Sequence, residues 1–139
     1  MIRIYTFTYA GDAQEAVACV RCARTALPEA VVTVVDDSAA PVPPEARRAL
    51  VAYGARYRRS SFPRCGNLRG PECVRGIIAT LAKGAEDGDT VVKIDSDTAL
   101  LSGGWVRDMQ HNGLALHASG YQVPRNPSER SAYGNCYAL

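Results

Sequence analysis

The sequence contains no long apolar run and no large excess of charge. Its longest purely apolar stretches, such as Val34–Val35, are only a few residues long, whereas a membrane-spanning helix needs about 20. The 16 basic and 14 acidic residues give a formal net charge of +2. A protein whose main task is to coat nucleic acid carries a much larger basic excess. We therefore expect neither a transmembrane segment nor nucleic-acid binding.

The cysteine pattern lacks the even number of a disulfide framework. The five cysteines lie within apolar patterns, which favours buried free thiols in a reducing compartment. Cys19 and Cys22 would share one face of a helix, and Cys65 with Cys73 lacks the second close pair of a zinc ribbon. The start, Met1 to Tyr5, has no signal-peptide features. We expect Met1 to be the native start and the protein to be cytoplasmic, with peripheral attachment to a membrane left open.

What is present is the composition of an ordinary globular protein, with 47% hydrophobic and 22% charged residues. A chain of 139 residues builds one core that buries about two-thirds of the surface of its unfolded form. We find no repeat, low-complexity tract or linker. Residues 1–139 are therefore expected to form a single domain.

Hydrophobic patterning predicts strands and helices in alternation. Runs that are apolar on both parities predict strands covered on both faces, and helical spacing fills the intervals between them. Basic residues at 56–59 place the third strand near an edge of the sheet. The strand segments before residue 98 are Ile2–Tyr9, Ala30–Val35, Ala55–Arg59 and Val91–Ile94.

Local signals mark the ends of the helices. Asp12 with Glu15 is a capping-box pattern, and Pro28 stops the first helix. Pro44 is well placed to open the second helix, and Gly54 closes it. The third helix ends before Gly84. The inward face of the third helix is predicted to be Val74, Ile77, Ile78 and Leu81.

The last third of the chain gives weaker signals. Gly104–Met109 predicts one or two helical turns, Leu114–Ala118 a strand and Tyr121–Ser131 a loop. Gly134–Leu139 predicts a final strand. We expect Trp105 to pack against the third helix.

The alternation predicts an α/β fold, a three-layer sandwich with a mostly parallel, Rossmann-like central sheet and right-handed crossovers. Ligands of such sheets bind at the carboxyl ends of the strands, where the strand order reverses. Asp36 and Asp95 both follow buried strands. We therefore expect both to lie at that edge of the sheet.

Two acidic clusters follow these strands. Asp95 and Asp97 flank Ser96, and both carboxylates reach one divalent cation if the chain turns there; the alternative is an ordinary turn or helix entry. Asp36 and Asp37 either hold a ribose or cap the following loop. Because the clusters hold the same structural position, we expect them to face one crevice.

The order of these motifs resembles the nucleotide-sugar glycosyltransferases of the GT-A fold, particularly family two. The matching segments are Val34–Ser38 at a strand end, Asn67–Gly70 before a helix, and Val92–Asp97 with its DxD motif. The resemblance covers Met1–Leu101 well and the regions of Trp105 and Gly134 more loosely.

The resemblance implies a nucleoside-diphosphate sugar, such as a UDP-sugar, lying across the sheet edge. Thr8 and Tyr9 would line the nucleoside, and Asp36, with Asp37 beside it, would meet the base or ribose. Asp95 would bind the ribose or the metal, next to Ser96 in the donor site. Mn²⁺ or Mg²⁺ would be held by Asp95 and Asp97, and would neutralise charge on the departing diphosphate.

Arginines precede the third helix. Arg64 and Arg69 flank the turn at Asn67 and are the best placed to pair with the diphosphate or the base. Asn67 belongs to the implied donor site. The other members of this basic cluster are more typical of a solvated edge strand, and they are Arg56, Arg58 and Arg59.

The family's general base, a carboxylate after a segment like Gly134–Leu139, is not identified. After Asp97 the only carboxylates are Asp108 and Glu129. We expect the chain to be truncated after the donor-binding half of such an enzyme, so donor binding is better supported than transfer to an acceptor, whether glycan, lipid or protein. The alternative is a non-catalytic nucleotide-sugar binding module. Thr98 stands one place too early for the aspartyl phosphatases, which we exclude.

Overall fold

The structure is a computed structural model that describes residues 1–62 and 70–113 and the backbone of four short strands beyond them. Helices and strands alternate up to residue 95, as predicted. The elements are β1 Ile2–Thr8, α1 Ala13–Ala26, β2 Val31–Asp36, α2 Pro44–Ala52, β3 Arg56–Arg59, α3 Gly70–Gly84, β4 Thr90–Asp95, α4 Gly104–Asn112, β5 His117–Ala118, β6 Tyr121–Gln122, β7 Ser131–Ala132 and β8 Cys136–Ala138.

Six of the described strands form a mixed sheet in the order β3-β2-β1-β4-β8-β5, and β6 and β7 form a separate pair. The first four are parallel, and β8 runs antiparallel to both β4 and β5. The α/β class with a mostly parallel sheet is therefore confirmed, and so is a final strand within Gly134–Leu139. The predicted loop over 121–131 is wrong at its ends, since β6 pairs with β7. Of the predicted strand Leu114–Ala118, residues 114–116 lie outside the described part of the chain.

Helices cover both faces of the sheet and complete the three layers. One core cluster joins α1, α2 and α4 to the sheet through buried side chains such as Val20, Leu50 and Val106. A second joins α3 through Leu81. Because the crossover from β3 to β4 reverses direction along the sheet, a right-handed connection carries α3 to the opposite face. Among the described helices, none combines the length and apolarity that crossing a membrane requires.

The inward face of α3 differs from the prediction. Val74 and Ile78 are each 54% exposed, whereas Cys73 and Leu81 are buried and Ile77 packs against the second core cluster. The inward stripe therefore consists of Cys73, Ile77 and Leu81, four residues apart, and the helix is rotated away from the predicted face. Apolar residues on two adjacent faces leave this rotation undecided until the helix packs.

Trp105 does not pack against α3. It contacts the core cluster that contains α1, α2 and α4, on the other face of the sheet. The reason is topological, because Trp105 lies at the start of α4 and α4 covers the face opposite α3. The prediction for Trp105 is therefore wrong.

An ionic cluster ties β1 to the start of β4, at the amino ends of the parallel strands. The side chain of Asp89 is 6% exposed and accepts a hydrogen bond from the Arg3 guanidinium and one of 2.9 Å from the N–H of Glu86. Arg3 also lies 3.3 Å from the Glu86 carboxylate. The Arg3 hydrogen bond, followed by the Glu86 N–H, holds the pKa of Asp89 well below its ordinary value. Folding is thus linked to the ionised form of Asp89.

This linkage predicts acid sensitivity. Asp89 has a depressed pKa when folded, so its contribution to stability is present above the unfolded pKa of about 4 and is lost as the pH falls further. We expect Asp89→Asn to lower the melting temperature at pH 7 and to flatten the acid limb of a melting curve series from pH 7 to pH 2.5. Asp87→Asn, which removes the same charge from an exposed position of the same loop, is the control. Equal acid limbs for the wild type and Asp89→Asn contradict the linkage.

Candidate functional site

The strand register brings the predicted acidic strand ends to one edge of the sheet. Thr8 of β1 is the partner of Asp36 on β2, and Phe7 of β1 is the partner of Asp95 on β4. With β1 between them, the two acidic strand ends lie about 10 Å apart. The strand order reverses at β1, since β2 lies on one side and β4 on the other. The carboxyl edge at β1 is thus the switch point, where open α/β sheets bind ligands.

The chain turns directly after β4. The N–H of Thr98 donates a 3.0 Å hydrogen bond to the carbonyl oxygen of Asp95, which closes a four-residue turn. The side chain of Asp95 is 28% exposed, and Asp97 is exposed. A turn at this position is what allows two carboxylates two residues apart to reach the same cation.

Lys93 is a buried cation at this edge. Its side chain is 8% exposed, and its ammonium donates a hydrogen bond to Oδ1 of Asp95. Alternation along β4 places both side chains on the face of Val91, which packs with α3. A buried ammonium requires such a partner. Lys93 therefore offsets one of the two carboxylate charges of the DxD segment.

Asp12 connects the loop after β1 to the loop after β4. Its Oδ1 accepts hydrogen bonds from the Thr8 hydroxyl at 2.6 Å and from the Tyr9 N–H at 2.8 Å, and its Oδ2 accepts one from the Ser96 hydroxyl. The carboxylate makes no capping hydrogen bond to α1. The predicted capping box with Glu15 is therefore wrong, because the Asp12 side chain bonds backward and across the edge.

Thr8 and Tyr9 lie at the carboxyl end of β1 and differ in how far they are exposed. Thr8 is fully buried and is held by Asp12, whereas Tyr9 is 41% exposed. A Cβ at Gly11 would lie 2.5 Å from the Tyr9 ring. The glycine thus allows the ring to lie against the backbone that follows β1.

Asp36 and Asp37 are buried and bond to their own loop. The Asp36 carboxylate accepts the Val42 N–H at 3.0 and 3.1 Å, and the Tyr57 hydroxyl donates to it. Asp37 accepts N–H groups two and three residues later, at 2.7 and 3.3 Å. These are the capping contacts of the alternative interpretation. Contact of either residue with a ribose or base stays a prediction.

The carboxylates of the two clusters do not point the same way. Asp36 shares the parity of Val34, on the face of α1 and α2, whereas Asp95 shares that of Val91, on the face of α3. The strand ends thus meet at one edge as expected. The expectation that both clusters face one crevice does not hold for the Asp36 carboxylate, because strand parity turns it toward α2.

Cys19 lies beneath the DxD turn. Its thiol donates to the Asp95 carbonyl at 3.5 Å and lies 4.0 Å from the Thr6 hydroxyl. Burial, with smaller effects from the neighbouring acids Asp95 and Asp97, raises the pKa of Cys19 to about 12. Cys19 and Cys73 are buried, as the cysteine pattern predicts, whereas Cys22 is half-buried.

Several predicted residues cannot be placed. Arg64, Asn67 and Arg69 lie outside the described residues, and so does Glu129. Their predicted roles in the donor site stay predictions. Asp108 is exposed on α4.

Two residues of this edge carry contacts that sequence reasoning does not assign to them. Asp12 is interpreted as a helix cap, and the partner that contradicts this, Ser96, is 84 residues away. Lys93 leaves a usable signal, since a cation within a buried β-branched run requires a partner. Because Asp95 is two residues from Lys93 on β4, both side chains lie on the same face of the sheet.

The Asp12 contacts predict energetic coupling across the edge. Asp12→Ala removes the acceptor of two buried hydroxyls, those of Thr8 and Ser96, and should cost about 1–3 kcal/mol of unfolding free energy. The double variant with Ser96→Ala should cost less than the sum of the single variants by about 0.5–3 kcal/mol. Urea denaturation measures the cycle, with the exposed Glu15→Ala as the control. Additive single effects would show that the two loops are not coupled through Asp12.

No protein-family model matches the chain, and no curated protein matches it by sequence. Its backbone matches solved structures. An active-site mutant of LgtC gives a TM-score of 0.63 at 16% identity, covering 99% of this chain and 56% of that chain. The galactosyltransferase LgtC in complex with donor and acceptor sugar analogs gives a TM-score of 0.61 at 18% identity, covering 99% of this chain and 57% of that chain. The chain thus spans little more than half the length of these proteins. Its fold is the GT-A fold of LgtC.

Proposed function

We propose that residues 1–139 form a nucleotide-sugar binding domain of a glycosyltransferase, with a nucleoside-diphosphate sugar as donor. The observation that carries this proposal is the turn after β4, closed by the 3.0 Å bond from Thr98 to Asp95. It lies at the switch point of a GT-A sheet, beside β1. Two carboxylates at such a turn suit a cation that bridges protein and diphosphate.

The donor atoms of this edge fit Mg²⁺ or Mn²⁺. Both ions favour oxygen ligands, and Mg²⁺ is commonly held by one or two carboxylates together with substrate phosphates. Within residues 1–62 and 70–113 no group of three His, Cys, Asp or Glu side chains is placed to hold a metal ion. Asp95 and Asp97 would supply two of the ligands, and the diphosphate of the donor would supply others. A bound cation would neutralise charge on the departing diphosphate.

The rest of the edge would bind and orient the nucleoside. The exposed Tyr9 ring offers a stacking surface for a base. Asp12 would hold the Thr8 and Ser96 loops at a fixed separation, which keeps the nucleoside and diphosphate subsites in register. Asp36 and Asp37 would support the base or ribose by holding the loop after β2.

Sugar transfer to an acceptor is the wider part of the proposal. The structural neighbours include a galactosyltransferase solved with donor and acceptor sugar analogs. Asp108 is the only carboxylate after Asp97 in the described part of the chain, and it is exposed on α4. The second candidate is a binding module without a general base, the alternative that the sequence leaves open. Release of nucleoside diphosphate from a sugar donor, assayed with and without acceptors, separates the two.

Metal-dependent donor binding gives the main test. UDP at 100 times its Kd should stabilise the fold by about 2.7 kcal/mol, which raises the melting temperature by several degrees. We expect this shift only with Mn²⁺ or Mg²⁺ present, and Asp97→Asn should abolish it. Asp87→Asn, at the opposite end of β4, should leave it intact. A shift of equal size in EDTA would refute the assignment of metal ligands to the DxD segment, and no shift with any nucleoside diphosphate would refute donor binding.

Lys93 should weaken binding of the metal alone. Its ammonium already pairs with Asp95, so Lys93→Met should raise the affinity for Mn²⁺ without nucleotide by at least tenfold, about 1.4 kcal/mol. Mn²⁺ titration followed by electron paramagnetic resonance measures this. Lys83→Met, at an exposed position on α3, is the control. Equal Mn²⁺ affinity in Lys93→Met and the wild type would show that the pair does not oppose the cation.

A further inference from the structure

A cavity lies between α2 and the edge strand β3, on the far side of β2 from the switch point. Its volume is about 580 Å³, within the range of small-molecule sites. Three arginines, one tyrosine ring and apolar side chains line it, and none of its lining residues within 1–62 and 70–113 is a carboxylate. The lining residues that matter here are Val42, Arg47, Arg48, Val51, Tyr57 and Arg59.

The Tyr57 ring is fixed in place. Its hydroxyl donates to the Asp36 carboxylate, which is fully buried and is itself held by the Val42 N–H at 3.0 Å. Burial, followed by the hydrogen bond to Asp36, raises the pKa of Tyr57. The phenol therefore stays protonated and anchored. The ring therefore forms a rigid wall of the cavity, and the Asp36 carboxylate holds it in place.

The guanidinium groups around the Tyr57 ring take part in none of the ion pairs within the described residues. The Arg47 guanidinium lies 4.6 Å from the centroid of the Tyr57 ring, so stacking orients it. Arg59 is close enough to the same tyrosine to lower its pKa, against the larger effects of burial and of Asp36. None of the ion pairs found among residues 1–62 and 70–113 includes Arg47, Arg48 or Arg59. Three guanidinium groups thus meet at one cavity, and the buried Asp36 carboxylate behind the ring is already bonded to the Tyr57 hydroxyl and the Val42 N–H.

We propose that this cavity binds the phosphate group of a ligand whose apolar or flat portion lies on Val51 and the Tyr57 ring. Guanidinium groups match phosphate geometry through paired hydrogen bonds, and stacked arginines lose little freedom on binding. A single carboxylate pairs with one guanidinium, so three guanidinium groups favour the higher charge of a phosphate. The site requires no metal, which separates it from the DxD segment.

Neighbouring arginines of β3 provide a matched control. Tyr57 packs with the core cluster of α2, whereas Arg58 lies 5.9 Å from the Tyr5 ring on the other face of the sheet. By strand alternation Arg56 shares the face of Arg58. Arg56→Gln thus removes the same charge as Arg47→Gln or Arg59→Gln without touching the cavity.

Calorimetric titration with inorganic pyrophosphate in EDTA tests the proposal. We expect saturable binding, lowered at least tenfold by Arg47→Gln and by Arg59→Gln and less than twofold by Arg56→Gln. Asp97→Asn should bind as the wild type does, so failure of the DxD proposal leaves this result unaffected. Absence of saturable binding, or an equal loss in Arg56→Gln, overturns the site. Circular dichroism verifies the fold of each variant.

A second arm identifies the source of the phosphate. Sedimentation with phosphatidic acid vesicles, weakened at least tenfold by Arg47→Gln and absent with phosphatidylcholine vesicles, assigns the site to a lipid headgroup. Pyrophosphate binding without vesicle binding assigns it to a soluble phosphorylated molecule. Vesicle binding that Arg56→Gln weakens as much as Arg47→Gln counts against the site, since it reflects surface charge alone.

Discussion

The pairing of β1 with β2 on one side and with β4 on the other is the constraint on which the rest of the structure depends. Three parallel strands in this order end at one edge, and the reversal of strand order leaves that edge open to a ligand. It also sends α3 to the face opposite α1 and α2, because the connections keep one hand. Every candidate residue at the edge owes its position to this pairing.

Polar contacts across the edge then fix the loops that the strands present. Asp12 accepts hydrogen bonds from Thr8 and Ser96, on either side of the switch point. The buried ammonium of Lys93 pairs with the Asp95 carboxylate at the end of β4. These residues carry more negative than positive charge, because Lys93 offsets only one of the carboxylates, and this excess favours the approach of a cation.

Much of the fold follows from the sequence because local patterns suffice for it. Buried β-branched runs mark the positions of β1, β2 and β4, and Pro44 marks the start of α2. Two of the errors share one cause. The inward face of α3 and the packing of Trp105 depend on how a helix is rotated and on which side of the sheet it lies. Hydrophobic spacing specifies neither until the layers pack.

For the site, the sequence by itself determines that Asp36, Asp95 and Asp97 follow buried strands, and parallel pairing then puts those strand ends at one edge. Only the tertiary structure decides which atoms each carboxylate meets. Asp36 turns to Tyr57 and Asp12 turns to Ser96, 21 and 84 residues away. The physical reason is that hydrogen bonds act over about 3 Å. Their partners exist only once distant segments have packed together.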